Sequence, residues 1–499
     1  MKNRIVVNGQ TFSRTLFVLT LLIGTFCDML NQTVMAVAQP KLMSTFSVST
    51  ATIQWLTTGF LLVMGIMVPI TGWLTDRFNV KWLYIFSQLL FLAGTFLSFM
   101  APSFGALLAG RLIQAAGSGI ASPLTMTMLF AIFPPEKQGA AMGLMGIVFG
   151  LAPAIGPTFS GWMVDSFSWR YIFGLILPIT MIVLVISLWT IKNVIPQRKT
   201  PLDVLSVAES TIGFGSLLYG FSAAGNDGWL SANVLIAIGA GVIVISIFGY
   251  RQLHIADPLL NLTPFKARNF TLGTLVGCGV MAAMIGFEIV LPMYLQIIRG
   301  LSAIDSGLSL LAGALVTAFM SPIAGMAVDK YGAKRLLIVG MSILTIGTVP
   351  FAFVTTHTSL VAIIVLYAVR TFGISLSLMP ASTLAFSTAP MALMGHASAN
   401  NNVARQIASA VATAVLVSVF ANVTKANMPV KHLLSVDPLA YKRGAFDALL
   451  SGYHVAFWLT AFMSLIGLGL ALLAQERPAT DSVSNEAIAT DHMVPAEQV

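Results

Sequence analysis

The sequence predicts an all-α integral membrane protein of fourteen transmembrane helices, built as two six-helix halves with an extra helical pair inserted between them. Three observations carry that expectation. The 499 residues are 57% hydrophobic and 9% charged, against roughly 25% charged in an ordinary soluble domain. Apolar stretches of about 20 residues, enough at 1.5 Å per residue to cross roughly 30 Å of hydrocarbon, recur along nearly the whole chain. One charged loop is also written twice, as Gly72-Trp73-Leu74-Thr75-Asp76-Arg77-Phe78-Asn79-Val80-Lys81 and as Gly325-Met326-Ala327-Val328-Asp329-Lys330-Tyr331-Gly332-Ala333-Lys334. Both copies keep the order glycine, acid, base, aromatic, second base, which marks a duplicated bundle of the kind many transporters use.

In chain order, the first half is expected to span the membrane at residues 15–38, 53–75, 82–100, 104–132, 139–163 and 171–191. The first of these is longer than the apolar core of a secretion signal, contains Asp28 and is followed by no obvious small-residue cleavage site, so it is a retained helix. Two further spans, 205–224 and 234–253, follow. The last six lie at 272–297, 307–328, 336–354, 360–386, 397–423 and 455–473. Gly72 and Gly325 stand 253 residues apart (325 − 72), whereas six helices with short loops need roughly 180 to 200. The surplus is one helical pair, and it belongs between the halves. The expected organisation is therefore an N-terminal bundle (1–200), an inserted linker pair (201–255), a C-terminal bundle (256–474) and a polar, acidic, disordered tail (475–499).

With a cytoplasmic N-terminus, the inner loops hold roughly sixteen Lys and Arg against roughly seven outside, the bias of the positive-inside rule. Both repeated loops and both termini then face the cytoplasm of a multi-pass plasma-membrane protein. Most outer basic residues fall in the longer segment 425–443, which says little about orientation. The net charge of +8 is spread over short loops rather than gathered in one stripe, so no nucleic-acid partner is expected. Cys27 and Cys278 lie in apolar segments and are expected to be buried thiols. The six histidines show no metal spacing, no phosphate-binding glycine loop is present, and no Ser-His-Asp order stands out, so neither an enzyme nor a metal protein is expected.

These motifs resemble the major facilitator superfamily, in particular its fourteen-helix branch of drug–proton antiporters, over nearly the whole chain. The most specific likeness is Ala152-Pro153-Ala154-Ile155-Gly156-Pro157-Thr158-Phe159-Ser160-Gly161 in the fifth span, similar to the antiporter motif. Arg111-Leu112-Ile113-Gln114-Ala115-Ala116-Gly117 in the fourth, Trp169-Arg170-Tyr171-Ile172-Phe173 before the sixth, and Tyr294-Leu295-Gln296 with Gly300 and Ser302 after the ninth add to it. So does Gly395-His396-Ala397-Ser398-Ala399 with Asn402, Arg405 and Gln406 in the thirteenth. Two departures matter. Where the branch carries an acid in the first helix this chain has Asn31, with Asp28 three residues earlier, nearly one turn away on the same face. In the first charged loop Asn79 replaces the glycine kept as Gly332; Asn tolerates a left-handed backbone, so the same turn is expected.

An ionised acid at the centre of a span costs roughly 2.5 to 3.5 kcal/mol on insertion scales, and such residues are functional by default. Asp28 is therefore the leading proton-coupling candidate, with local packing as its plain alternative. Glu288, in an otherwise apolar run of the ninth span, is the second, so one acid per half is expected to face a central cavity. Glu209 is a weaker candidate at the start of the seventh span. Arg111 is the counter-charge that could hold Asp28 ionised, with Asn31 and Gln114 beside it; Arg370 and Arg405 are further basic residues at membrane depth, and structural pairing is equally open for them. Gln32, Gln54, Trp55, Phe60, Met64, Met284 and Phe287 offer a polarizable cavity lining, though core packing suits each as well.

Gly143, Gly146, Gly150, Pro153, Gly156, Pro157 and Gly161 give the fifth span a smooth face for close helix approach, and the resemblance implies a partner from the other half. Asp76 with Arg77 and Lys81, and Asp329 with Lys330 and Lys334, are expected to latch the cytoplasmic side, each acid accepting hydrogen bonds from a neighbouring helix end. With the resemblance, whose fifth-span motif implies outward export, these residues lead to the expectation of an exporter of small lipophilic compounds, chiefly cations because two buried acids would select positive charge. It needs no cofactor, is driven by protons, works as a monomer in the lipid bilayer and alternates access to a central site. A dedicated exporter or symporter of one metabolite or antibiotic is the alternative. A membrane enzyme would need clustered nucleophile or His/Asp motifs, and a receptor a sizeable soluble domain.

Overall fold

The halves meet along α6 (Gln138–Ser166) and α11 (Ala303–Tyr331), the most extensive helix pairing in the molecule. The computed structural model describes residues 4–7, 10–48, 50–134, 137–197, 203–390, 393–430 and 432–475. Among them thirteen helices are long and apolar enough to cross a membrane, and α6, which contains the shorter apolar run Ala140–Ala152, is the fourteenth long helix. The expected tail beyond Gln475 lies outside the described residues.

The first half contains α1 (Arg14–Thr33), α2 (Met35–Phe46), α3 (Thr50–Arg77), α4 (Val80–Phe99), α5 (Phe104–Ile132), α6 and α7 (Tyr171–Thr190). The inserted pair is α8 (Val204–Asp227) and α9 (Ala232–His254). The second half contains α10 (Arg268–Met293), which runs into a π-helical turn at Tyr294–Ile298, then α11, α12 (Ala333–Thr348), α13 (Leu360–Phe386), α14 (Met394–Asn427), the short α15 (His432–Val436) and α16 (Pro438–Leu472). Sequence decides where several begin. Ser13, Ser103, Ser231 and Ser302 cap α1, α5, α9 and α11 by accepting a backbone N–H three residues on, satisfying donors that a helix start leaves open.

Inside each half, neighbouring helices pack in corresponding ways. In the first, α4 packs on α5 and α7, α3 on α5, and α1 on α6 and α7; in the second, α12 packs on α13 and α16, α11 on α13, and α10 on α14 and α16. The inserted pair forms a bridge, since α8 and α9 pack on each other while α8 also lies against α3 of one half and α14 of the other. Thr58 and Ser222 share a hydrogen bond of 3.0 Å across α3 and α8, and Trp55 stacks on Tyr219 at 6.0 Å between ring centroids. At the base of the pair, Arg251 binds Asp203 at 2.8 Å. Burial opposes ionisation of Asp203, but the hydrogen bonds from Arg251 and Ser206 outweigh it and hold the carboxyl below the ordinary carboxylate range.

Three local expectations are corrected and one element is added. The first span does not run to residue 38: α1 ends at Thr33, and a separate helix continues from Met35 to Phe46. The connection between the expected spans 397–423 and 455–473 is largely helical, because α14 extends to Asn427 and α16 starts at Pro438, where the Asp437 side chain caps it and proline suits the first turn. Asn79 does not reproduce the left-handed turn of Gly332. Its φ is −60° and its side chain caps α4 by accepting from the Lys81 N–H at 3.0 Å, whereas Gly332 has φ +85°; an amide that can cap a helix needs no left-handed backbone to turn the chain. A two-stranded hairpin, Arg4–Val7 paired with Gln10–Ser13, precedes α1 and was not expected. Its signal was present in β-branched residues around Asn8-Gly9.

Candidate functional site

A cavity of about 290 Å³ lies between the halves, walled by α1, α3 and α6 on one side and by α10, α11 and α13 on the other. Along α11 it extends from Gly307, near the end remote from the repeated loops, to Ser321, and along α13 from Tyr367 to Met379. Its size sits near the lower end of the 300 to 1,000 Å³ common for small-molecule pockets. The wall is mostly apolar, with one carboxyl, that of Glu288, one amide, that of Gln32, and a band of hydroxyls.

Of the residues singled out in the sequence, Gln32, Met284, Glu288, Gly146 and Gly150 line this cavity. Asp28 does not. It is 2% exposed, and neither carboxyl oxygen has a hydrogen-bond partner among the described residues. Its polar neighbour is Ser118 of α5, so it faces the interior of the first half rather than the space between halves. The expectation of a cavity flanked by one acid from each side is thus corrected, since only the second half contributes its acid to the wall.

Arg111 makes none of its hydrogen bonds to Asp28. Its guanidinium reaches the carbonyls of Asn31 (3.0 Å) and Leu56 (3.3 Å) and the Gln114 side chain (3.3 Å), and lies 4.2 Å over the ring of Phe60. Gln114 in turn donates to Thr95 at 2.8 Å. The second half holds an arginine in the same manner, with Arg370 donating to the carbonyl of Ala283 at 2.6 Å and resting 3.8 Å over Phe287. Phe287 is stacked on Tyr367 as well. Both arginines are fully buried, and a carbonyl plus an aromatic face is what replaces water around a desolvated guanidinium. Arg370 acts electrostatically on Glu288, so the two halves differ in what their arginine addresses. Arg405 donates to Ser382 at 3.3 Å and lies over Phe149.

Phe60, Met64 and Phe287 are buried core residues rather than cavity wall, although Met64 touches it indirectly through the Gln32 amide. Trp55 faces α8, not the cavity. The side chain of Gln54 lies outside the described residues, as do those of Pro153 and Pro157. Among the described residues the side-chain amide of Asn31 is buried without a partner, and Glu209 on α8, away from the cavity, has Oε2 buried without one. Sequence alone missed Phe149, Tyr367, Thr371, Ser375 and most of the α11 wall, because small and hydroxylated residues in an apolar helix carry no pattern of their own.

The glycines of α6 divide between two partners. A Cβ on Gly143 would meet the backbone of Ser321, Pro322 and Gly325 on α11 at 2.7 to 3.1 Å, and Gly146 and Gly150 approach Ser321 and Thr317 of the same helix. Gly156 instead faces Thr33 of α1, and Gly161 is buried. The lower half of the smooth face therefore lets α6 and α11 touch backbone to backbone.

The repeated loops end in contacts between halves. Asp329 accepts a hydrogen bond from the Ala140 N–H at 3.2 Å, at the start of α6, where the helix N-terminus favours an anion. Asp76 lies 3.2 Å from Nε2 of His396 on α14, whose Nδ1 receives the Asn261 N–H at 3.2 Å from the segment after α9. Asn400 donates to the carbonyl of the same Asn261. Ser398 donates to the Pro123 carbonyl, and Phe130 packs edge-on against Phe386 at 5.0 Å. Arg77 is exposed, Lys81 and Lys330 lie over Trp82 and Tyr331, and Lys334 is half-buried. At this end the halves are closed on each other, and the cavity lies beyond that closure.

Residues 21–413 match the family described as Major Facilitator Superfamily. An uncharacterized MFS-type transporter, YcnB, of Bacillus subtilis is 43% identical over 477 residues, covering 95% of this chain and 98% of its own. The lincomycin resistance protein LmrB of Bacillus subtilis is 40% identical, covering 92% and 95%. Among solved structures, the human organic anion transporter MFSD10 superposes with a TM-score of 0.63 at 13% identity over 92% of this chain and 99% of that one, a likeness of fold.

Proposed function

This chain belongs to the major facilitator superfamily, a membrane transporter and not an enzyme, and we propose that it exports lipophilic compounds, chiefly cations, in exchange for protons. The observation that carries the proposal is the separation of two acids at membrane depth, Asp28 buried and Glu288 partly exposed to the cavity. Glu288 stands in the wall of a mostly apolar cavity of drug-like size, where a cation would find its counter-charge. Asp28 stands outside that wall, in the closed interior of the first half, where it can take and release a proton without touching cargo. The kinship with a lincomycin resistance protein supports a drug as cargo. A dedicated exporter of a single antibiotic is the second possibility, favoured by the same relative.

In this scheme the repeated loops face the cytoplasm of the plasma membrane, the protein acts as a monomer without a cofactor, and the contacts of Asp76 and Asp329 form the closed inner gate. Substrate enters from the cytoplasm or inner leaflet when the gate parts, and outer protons favour its release on the other side. Each charge moved through 100 mV supplies about 2.3 kcal/mol. The test is efflux of an amphiphilic cationic dye from energised vesicles; transport is expected to stop when an uncoupler collapses the proton gradient. Transport that continues unchanged without the gradient would remove proton coupling from the proposal.

The gate has its own expected result. Asp329→Ala removes an anion at the start of α6, worth about 1 kcal/mol, and should shift the conformational equilibrium roughly fivefold toward the form open at the loop end. Spin-label distances between the loop-end tips of α5 and α13 measure it. An unchanged distance distribution would show that Asp329 does not hold the gate.

A further inference from the structure

Four hydroxyls of the cavity wall have their protons already committed. Thr33 donates to the carbonyl of Leu30 at 3.0 Å, Thr317 to Gly313 at 3.0 Å, Thr371 to Tyr367 at 2.9 Å, and Ser375 to Thr371 at 3.0 Å. A hydroxyl has one proton and two lone pairs, so each of these turns only lone pairs toward the space it lines. Gln32 behaves alike: its Nε2 is directed at the sulfurs of Met29 (3.7 Å) and Met64 (3.5 Å), which leaves its carbonyl oxygen as the remaining polar atom. Glu288, when ionised, accepts and does not donate. Among the described lining residues, Ser321 and Tyr367 are the ones whose hydroxyl protons are not given to a protein acceptor, and Thr57 is already engaged. The cavity therefore offers more acceptors than donors, with one negative charge added when Glu288 is ionised.

We propose that the cavity selects, among lipophilic cations, those that carry N–H donors, such as protonated amines, amidines and guanidines, over quaternary ammonium ions of the same size. The inference rests on the cavity being the substrate site. A protonated amine can place its N–H on Glu288 or on the lone pairs of Thr371 and Ser375, making charge-assisted hydrogen bonds. A quaternary ion satisfies the charge but leaves those acceptors stripped of water and unpaired, and a site built for a hydrogen bond rejects an analogue that lacks it. Charge alone would not separate the two, whereas the committed hydroxyls do.

The test is equilibrium binding to the purified full chain in lipid nanodiscs, using a matched pair: a lipophilic tertiary amine in its protonated form and its N-methyl quaternary derivative. The amine is expected to bind about 10- to 100-fold more tightly. Thr371→Val with Ser375→Ala should bring that ratio below about threefold by weakening the amine and leaving the quaternary ion unchanged. Thr371→Val alone, nearly the same in volume, should lower the ratio in the same direction if the double variant does not fold. Equal binding of the pair by the parent, or a ratio untouched by the variants, would overturn the donor preference while leaving the cavity as the substrate site. If neither cation binds, the assignment of the cavity falls, and the preference with it.

Discussion

Asp28→Asn is expected to abolish concentrative transport while leaving substrate affinity close to that of the parent. The asparagine keeps the shape of the side chain and cannot carry a proton, and Asp28 contributes no atom to the cavity wall. Among the described residues neither oxygen meets hydrogen-bond geometry with a partner, and Ser118 is the polar neighbour, so the substitution is expected to remove a proton site without breaking an ion pair. Proton-driven efflux from vesicles and equilibrium binding on the same preparation decide the matter together. A variant that still pumps against a gradient would clear Asp28 of coupling. One that loses binding as well would place it in the substrate path.

Glu288→Gln is expected to do the reverse, weakening the binding of a monovalent cation by roughly 30- to 1,000-fold, or about 2 to 4 kcal/mol, as is usual when one partner of a desolvated charge pair is neutralised. A neutral ligand of similar size should be held almost as before. The cavity has no second acid among its lining residues, and Arg370 nearby makes an unscreened cation unwelcome once the carboxylate is gone. Titration with a cation and a neutral analogue separates the outcomes; equal loss for both would mean that the substitution had damaged the wall and not its charge.

Much of the architecture could be read directly from residues. Fourteen apolar runs, the twice-written loop and the 253-residue spacing gave helix number, duplication and the inserted pair, because bilayer thickness fixes helix length and duplication repeats charge in otherwise apolar sequence. Glu288 and Asp28 were visible for the same reason, an acid being conspicuous among leucines and isoleucines. What each faces was not visible. Asp28 and Gln32 are one turn apart on α1, yet the first has Ser118 of its own half as polar neighbour and the second lines the cavity, and spacing along one helix does not tell which neighbour each meets. Arg111 looked like the natural partner of Asp28 and is instead anchored by carbonyls of Asn31 and Leu56; backbone acceptors leave no trace in a sequence. Trp55 and Phe60 were equally ambiguous, since an aromatic residue suits a lipid face, a helix contact or a pocket.

The ring of His396 joins three parts of the chain. Because the Asn261 N–H can only donate, Nδ1 of that ring must be the bare nitrogen, and a neutral imidazole then carries its single proton on Nε2, toward Asp76. One tautomer satisfies all the bonds around it, and the doubly protonated ring cannot keep the bond to Asn261. The first half, through Asp76, and the strap behind the inserted pair, through Asn261, thus meet at opposite edges of one imidazole on the second half. The inserted pair, whose α8 leans on α3 and α14 alike, is thus tied to the second half once more, through the strap behind α9 and the same ring that holds Asp76.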